Sequence, residues 1–237
     1  MSQPTIRKQR IRRSRVKVRL IVFGTLAVLL ILFSVFSEQL TPYDPYLQNL
    51  SNAKAPPSAE HLLGTDRYGR DMLSRVIVGS RTSIFSTLLL VAVITVLGTA
   101  VGVFCGWNGR WMDTVLMRIS DMFLAFPGLV FALAVAGSLG GGLQNAILAL
   151  ATISWPKYAR IARSQTLAQK ETVWMKAAKL SGSSSGKLIF KHILPNIIGP
   201  ILVTAMLDIG TMMMELAALS FLGLGAKPPT AEWGSMM

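Results

Sequence analysis

Arg7-Lys-Gln-Arg-Ile-Arg-Arg-Ser-Arg-Val-Lys-Val-Arg19 runs directly into Leu20-Ile-Val-Phe-Gly-Thr-Leu-Ala-Val-Leu-Leu-Ile-Leu-Phe-Ser-Val-Phe36. The first stretch carries eight Lys and Arg and no acid, and the second is apolar apart from Thr25 and Ser34. At about 1.5 Å per residue, roughly 20 residues cross a hydrocarbon core about 30 Å thick, so Val18 to Phe36 suffices with snorkelling ends. A charged flank before an apolar core also describes a secretory signal, but Ser37-Glu-Gln-Leu-Thr-Pro42 is not a small-residue cleavage site, and an uncleaved first helix is expected.

The pattern repeats along the chain. Further apolar spans are expected at Ser83 to Cys105, Ile119 to Ser138, Leu143 to Ala162 and Ile197 to Leu219. Each is interrupted by Gly, Ser, Thr or Pro, as in helices that pack on protein as well as lipid. Gly98, Gly102 and Gly106 recur every four residues, which strips side chains from one stripe and admits a neighbouring backbone. The chain has 24 Lys and Arg against 11 Asp and Glu, a net charge of +13, with 51% apolar residues. Basic clusters that flank membrane-length spans point to a membrane. Without a recognition motif, zinc spacing or stacking aromatics they do not point to nucleic acid. The single Cys105 has no partner for a disulfide, and His61 and His192 fall in no metal-ligand spacing.

Basic loops favour the cytoplasm. Residues 38 to 82 hold five charges of each sign, whereas Lys157 to His192 holds eight positives and Glu171. The expected organisation is a basic cytoplasmic tail at 1–19, a first transmembrane helix at 20–40, an external loop at 41–82 and a core at 83–237 with a cytoplasmic loop at 163–195. Five spans place the C-terminal segment outside, and nothing in its turn-rich sequence is expected to close a bundle.

That cytoplasmic loop contains Lys176-Ala-Ala-Lys-Leu-Ser-Gly182 and then His192-Ile-Leu-Pro195. The reading is a helix ended by Gly182, a Ser-rich connector and a second helix starting near Pro195. A short helix showing alanines and lysines makes sense as a knob for a soluble partner's groove. The loop resembles the EAA motif of permease subunits from binding-protein-dependent ATP-binding-cassette importers, although Lys176 stands where that family usually has Glu and His192 where it usually has an aliphatic residue. Leu63-Gly-Thr-Asp-Arg-Tyr-Gly-Arg-Asp71 with Leu73-Ser-Arg75 resembles the oligopeptide, dipeptide and nickel branch. So do Arg118-Ile-Ser-Asp121 with Phe126-Pro127, Leu219-Ser-Phe-Leu-Gly-Leu-Gly225, and Pro228-Pro-Thr-Ala-Glu-Trp-Gly234. The resemblance covers residues 20 to 237 and is closest to the second permease of the pair.

The resemblance implies an all-α, type I importer transmembrane domain in a bacterial or archaeal inner or plasma membrane, multi-pass, with a cytoplasmic N-terminus. It implies a second permease subunit, two ATPase subunits and an external solute-binding protein as partners, besides membrane lipid. It also implies no catalytic residue in this chain, no bound cofactor or metal, and ATP and Mg on the ATPases. No Walker sequence occurs here. Coupling residues would be Lys176, Ala177, Ala178, Gly182, Leu194 and Pro195. Relatives continue into a sixth span, and a chain of five is expected to be incomplete as a permease half.

The cargo reading is peptides or nickel. Leu180-Ser-Gly182 and Leu207-Asp-Ile-Gly210 with Met212-Met213 lean toward nickel. Asp208 and Glu215, seven residues apart, lie on one helical face at membrane depth. They either line the pathway or bond a neighbouring helix or the partner permease, and nearby methionines either touch a soft metal or fill gaps. A self-sufficient secondary transporter using Asp208 or Glu215 is the alternative, although the inverted repeats it needs are not found. Gly64-Thr-Asp-x-x-Gly69-Arg-Asp71 suggests a turn held by Asp-to-backbone and Arg-to-carboxylate bonds, either as a brace for the second span or as a surface for the binding protein.

Overall fold

The computed structural model describes residues 5–237, with side chains described from residue 17 onward. The tail's basic side chains up to Arg15 lie outside these. Every regular element among the described residues is helical, with one isolated bridge between Thr65 and Asp71. The chain divides into two compact units, Met1–Ile84 and Phe85–Met237.

In the first unit, α1 (Thr5–Val35) makes the basic segment and the first span one helix. Its apolar side chains from Val18 to Phe36 are largely exposed, as lipid-facing side chains are. The segment between α1 and α2 (Met72–Asn108) folds on itself without regular structure beyond one turn of 3-10 helix at Leu50–Asn52.

The second unit holds the bundle: the rest of α2, then α3 (Arg110–Ala125), α4 (Gly128–Ser138), α5 (Leu143–Lys170), α6 (Val173–Leu180), α7 (Ser185–Leu188) and α8 (Leu194–Phe221). Among the described residues three helical runs are each long and apolar enough to cross a membrane, Lys17–Val35, Met72–Asn108 and Ser185–Phe221, and the bent pair Arg110–Ala125 and Gly128–Ser138 is so when taken together. Two of the expected spans differ from expectation. Ile119 to Ser138 is not one helix but α3 and α4, bent by 95°. Phe126 precedes Pro127, is barred from helical geometry by the pyrrolidine ring, and sits extended at φ −93° and ψ 147°. The expected Leu143–Ala162 span is a 28-residue helix, long enough to cross but less apolar, with Gln144, Asn145, Lys157, Arg160 and Arg163 on it. α5 packs against α3, α4 and α8, so its surroundings are helices more than lipid.

The glycine stripe on α2 meets α5. A Cβ on Gly98 would stand 2.5 Å from the Trp155 carbonyl oxygen, one on Gly102 2.2 Å from that of Ala159, and one on Gly106 2.8 Å from Thr166 Cβ. Three turns of α2 therefore approach α5 at backbone distance, and Ala159 and Ala162 answer with small side chains of their own. Where lipid tails are as apolar as leucine, such close van der Waals contact is what holds helices together. Around it lie Leu90, Ile94, Leu150, Tyr158, Ile197 and Ile201, all fully buried.

Two further expectations change. The second helix of the cytoplasmic loop starts at Ser185 rather than near Pro195 and continues through a π-helical turn, Ile189–Ile193, into α8. Pro195 cannot donate to a carbonyl four residues back, and just before it Leu194 N–H reaches back five residues to Ile189 O. The C-terminal segment does close on the bundle. Gly142 N–H donates to Leu224 O at 3.0 Å, Lys227 Nζ donates to Gly140 O at 2.9 Å, and Gly234 lies so close to α8 that a Cβ would stand 2.4 Å from Ala217 O.

The stripe makes a graded expectation. Gly102→Val should cost at least the about 1–3 kcal/mol of an overpacked core, because the obstacle is backbone. Gly199→Val, where no atom lies within 4 Å, should not lower stability by this route. Thermal unfolding of both variants in detergent checks it, and equal stability would contradict the close approach.

Candidate coupling surface and membrane-embedded acids

α6 hangs from α5 by only Glu171 and Thr172. Its eight residues divide cleanly by face. Met175 is 2% exposed and joins the core cluster, with Ala178 packed against that cluster. On the opposite side Val173 is 84% and Leu180 90% exposed, with Lys176 and Ala177 exposed between them. Spacings of three and four put Val173, Ala177 and Leu180 on one stripe. Ala177 and Ala178, read together as a patch, therefore divide between the exposed side and the core side, and sequence reasoning missed Val173 and Leu180. Their signal was the i, i+4, i+7 spacing.

The helix ends in a Schellman turn. Gly182 N–H donates to Lys179 O at 3.1 Å and Ser183 N–H to Ala178 O at 3.2 Å. Gly182 sits at φ +79°, the left-handed geometry that glycine adopts without Cβ strain. Lys176 pairs with Glu171 at 2.9 Å across the start of the helix, and its hydrogen bond and charge hold the Glu171 carboxyl below its usual range. The His192 ring lies 5.6 Å from that of Trp174, tilted by 50°, linking α6 to the π-helical turn. Leu194 packs on the core, and Pro195 is exposed at the second position of α8.

A chain with several membrane-length apolar helices agrees with its relatives. Residues 98–237 match the family described as the binding-protein-dependent transport system inner membrane component. The dipeptide transport system permease protein of Alkalihalophilus pseudofirmus is 41% identical over 222 residues, covering 93% of this chain and 73% of that protein. The chain belongs to this family. The probable D,D-dipeptide transport system permease protein of Escherichia coli K12 is 43% identical over 214 residues, 90% of this chain and 72% of its own length. The glutathione transport system permease protein of Pectobacterium atrosepticum is 38% identical over 216 residues, 90% and 71% respectively. The fold is accordingly that of the type I ABC importer membrane domain, in a subunit of a transport system rather than an enzyme.

Within this permease the buried acid of α8 is engaged. Asp208, 5% exposed, accepts from Lys157 Nζ at 2.6 Å and from the Tyr158 hydroxyl at 2.9 Å, both on α5. Asp208 is therefore bonded to a neighbouring helix. Glu215 is half-buried and makes no hydrogen bond or ion pair among the described residues. Met212 is buried in the core. Arg160 pairs with Asp121, and Arg163 Nη2 with Asp113 at 2.6 Å, tying α5 to α3. Three of the eight positives counted between Lys157 and His192 are thus interhelical partners rather than loop charges. Lys170 turns back to the end of α2, with Nζ 2.7 Å from Trp107 O, where a cation complements the helix dipole.

The loop before α2 is a built turn. Asp66 Oδ1 accepts from Tyr68 N–H at 2.8 Å and Arg70 N–H at 3.0 Å, and Oδ2 accepts from Arg70 Nε at 2.7 Å. Asp71 caps α2: its Oδ2 takes the Ser74 N–H and hydroxyl, both at 2.7 Å, while Oδ1 lies 3.0 Å from His61 Nδ1. Gly69, at φ +72°, leaves room for Asn49 O, which a Cβ would approach to 1.7 Å.

Burial pushes the Asp66 carboxyl upward, but the side-chain and backbone bonds from Arg70 and the Tyr68 N–H outweigh it and hold it below 3.8. Asp71 likewise is raised by burial and lowered further by Ser74 and His61, to a net fall below 3.8. Depressed carboxylates stabilise the fold above their ordinary value, and that contribution disappears as pH falls through the folded values. Amide exchange in residues 44–71, corrected for intrinsic rates, should therefore lose protection as pH falls below about 3.8, the ordinary Asp value. Asp66→Asn should cost about 1.5–3 kcal/mol, as for bonds to a charged group, and flatten that acid dependence.

Proposed function

We propose that this permease is the membrane-spanning part of an ATP-driven importer for short peptides. An external solute-binding protein delivers the cargo, and a second permease shares the pathway. ATP and Mg are handled by two separate ATPase subunits. The N-terminus and the 163–195 loop are cytoplasmic, in a bacterial or archaeal cell membrane. The observation that carries this reading is the division of α6 into an outer stripe of Val173, Ala177 and Leu180 and an inner face fixed by Met175. An apolar stripe of this size fits a groove on an ATPase. Because α6 is joined to α5 by two residues and rooted in the core, a push on it is delivered to the bundle, which rocks between outward and inward openings.

Peptide cargo is supported by relatives named for dipeptide, D,D-dipeptide and glutathione transport. Nickel finds no support among those names, and among the described residues no group of three or more His, Cys, Asp or Glu is placed to hold a metal ion. The secondary-transporter alternative is weakened by the pairing of Asp208, which a proton or ion relay would have to break. Glu215, half-buried on α8, is the acid of that helix left to meet the amino group of a zwitterionic peptide in the pathway.

In the assembled transporter, Ala177→Asp and Leu180→Asp should leave membrane insertion intact. Both should abolish binding-protein stimulation of ATP hydrolysis and lower peptide uptake by at least about ten-fold, the effect of a loss of roughly 1.4 kcal/mol. Normal uptake by both variants would sink the coupling assignment. Orientation is tested separately. Cysteine at Ser58 should react with an impermeant thiol reagent in spheroplasts while cysteine at Ser184 does not, with little background from buried Cys105. The reverse pattern would overturn the topology.

A further inference from the structure

Where α2 ends and α3 begins, a cavity of about 420 Å³ opens between the turn and the α6–α7 segment. Its wall carries three cations, Arg110, Lys170 and Lys179, two indoles, Trp107 and Trp111, and Ser185, and no acid. The nearest acid along α3, Asp113, is taken by Arg163. Lys170 is held in place by the Trp107 and Gly106 carbonyls and stands 5.7 Å from the Trp107 ring centroid. Arg110 belongs to the turn itself, for Gly109 at φ +63° is followed by Arg110 at φ +59°, a conformation uncommon outside glycine. Three cations converging without a carboxylate form a site for a phosphate group.

The surroundings point to a phosphate on a lipid. The cavity sits at the end of a membrane-length helix, the depth at which a bilayer's headgroups lie and at which Trp is enriched. From it the outer face of α3 runs away along exposed Trp111, Met112 and Val115, with exposed Arg118 and then Met122 one and two turns further on the same face. A soluble anion has no use for those apolar side chains, whereas an acyl chain does. We propose that this cavity seats the headgroup phosphate of an anionic phospholipid, with its acyl chains along the outer face of α3. The lipid would then bridge α3 to Lys179 on α6, making the mobility of α6 depend on membrane composition.

The test uses the protein in phosphatidylcholine vesicles containing one-third phosphatidylglycerol, with either lipid brominated on its acyl chains. Tryptophan quenching should favour the phosphatidylglycerol several-fold, and the preference should be absent in Trp107→Phe/Trp111→Phe. Arg110→Gln and Lys179→Gln should each lower it roughly five-fold, the effect expected of one basic side chain at an anionic surface, while Arg110→Lys retains it. Mass spectrometry of lipid retained on the purified wild type and the Arg110→Gln/Lys179→Gln double variant gives a second reading that does not depend on the indoles. Equal quenching by both lipids would overturn the proposal. So would loss of the preference in millimolar inorganic phosphate at constant ionic strength, which would mark a site for a free anion. If the preference vanishes when the ATPase subunits are assembled, the cavity belongs to an acidic protein surface and the lipid assignment fails.

Discussion

The close approach of α2 to α5 is the constraint on which the rest of the bundle depends. Gly98, Gly102 and Gly106 bring α2 against the carbonyls of Trp155, Ala159 and Arg163 with no side chain on the α2 side. This contact fixes the rotation of α5 about its own axis. With that face committed, the remaining faces of α5 are assigned: Arg160 and Arg163 to the acids of α3, and Lys157 with Tyr158 to Asp208 of α8. Salt bridges alone would be poor cement, since exposed pairs are worth about 0–1 kcal/mol. The glycine contact supplies the proximity, and the charges select which neighbours α5 takes.

In the proposed coupling, α5 is therefore the member that would both receive and transmit force. It is joined to α6 by Glu171 and Thr172, and the buried Met175 keeps that short helix from swinging independently. Lys170, at the other side of the joint, ties the end of α5 to the end of α2. In that coupling a displacement of α6 would be delivered at a point where two helices are already in close contact. The Schellman turn at Gly182 ends α6 sharply, so that its exposed stripe stays short and convex.

Much of this was legible in the residues. The glycine stripe announced a close helix contact because a four-residue repeat of missing side chains has no other structural use, although the sequence could not say that α5 was the neighbour. The loop before α2 was readable as a carboxylate-braced turn because Asp, Gly and Arg have strong local preferences, and Asp66, Arg70 and Asp71 pair within a few residues of one another. The α3–α4 break was missed although Phe126-Pro127 was in view, since apolar content continued through it while backbone geometry did not. Counting Lys157, Arg160 and Arg163 as loop charge was a related error: an arginine facing a carboxylate on another helix looks, in sequence, like an arginine facing water. The two faces of α6 could not be separated from composition, because Ala177 and Ala178 are adjacent and identical, and only their packing distinguishes them.

On the proposed coupling, the outer stripe of α6, and not its inner face, meets an ATPase. Short bismaleimide cross-linking in native membranes addresses it directly, with single cysteines at Ala177, Leu180 and Met175 and a cysteine scan of the ATPase groove. Cysteines at 177 and 180 should join the ATPase in high yield, with yields that change when ATP is added, while cysteine at 175 should not react until the chain is unfolded. Cross-linking from position 175 equal to that from 177 and 180, or none from any of the three, would contradict the account.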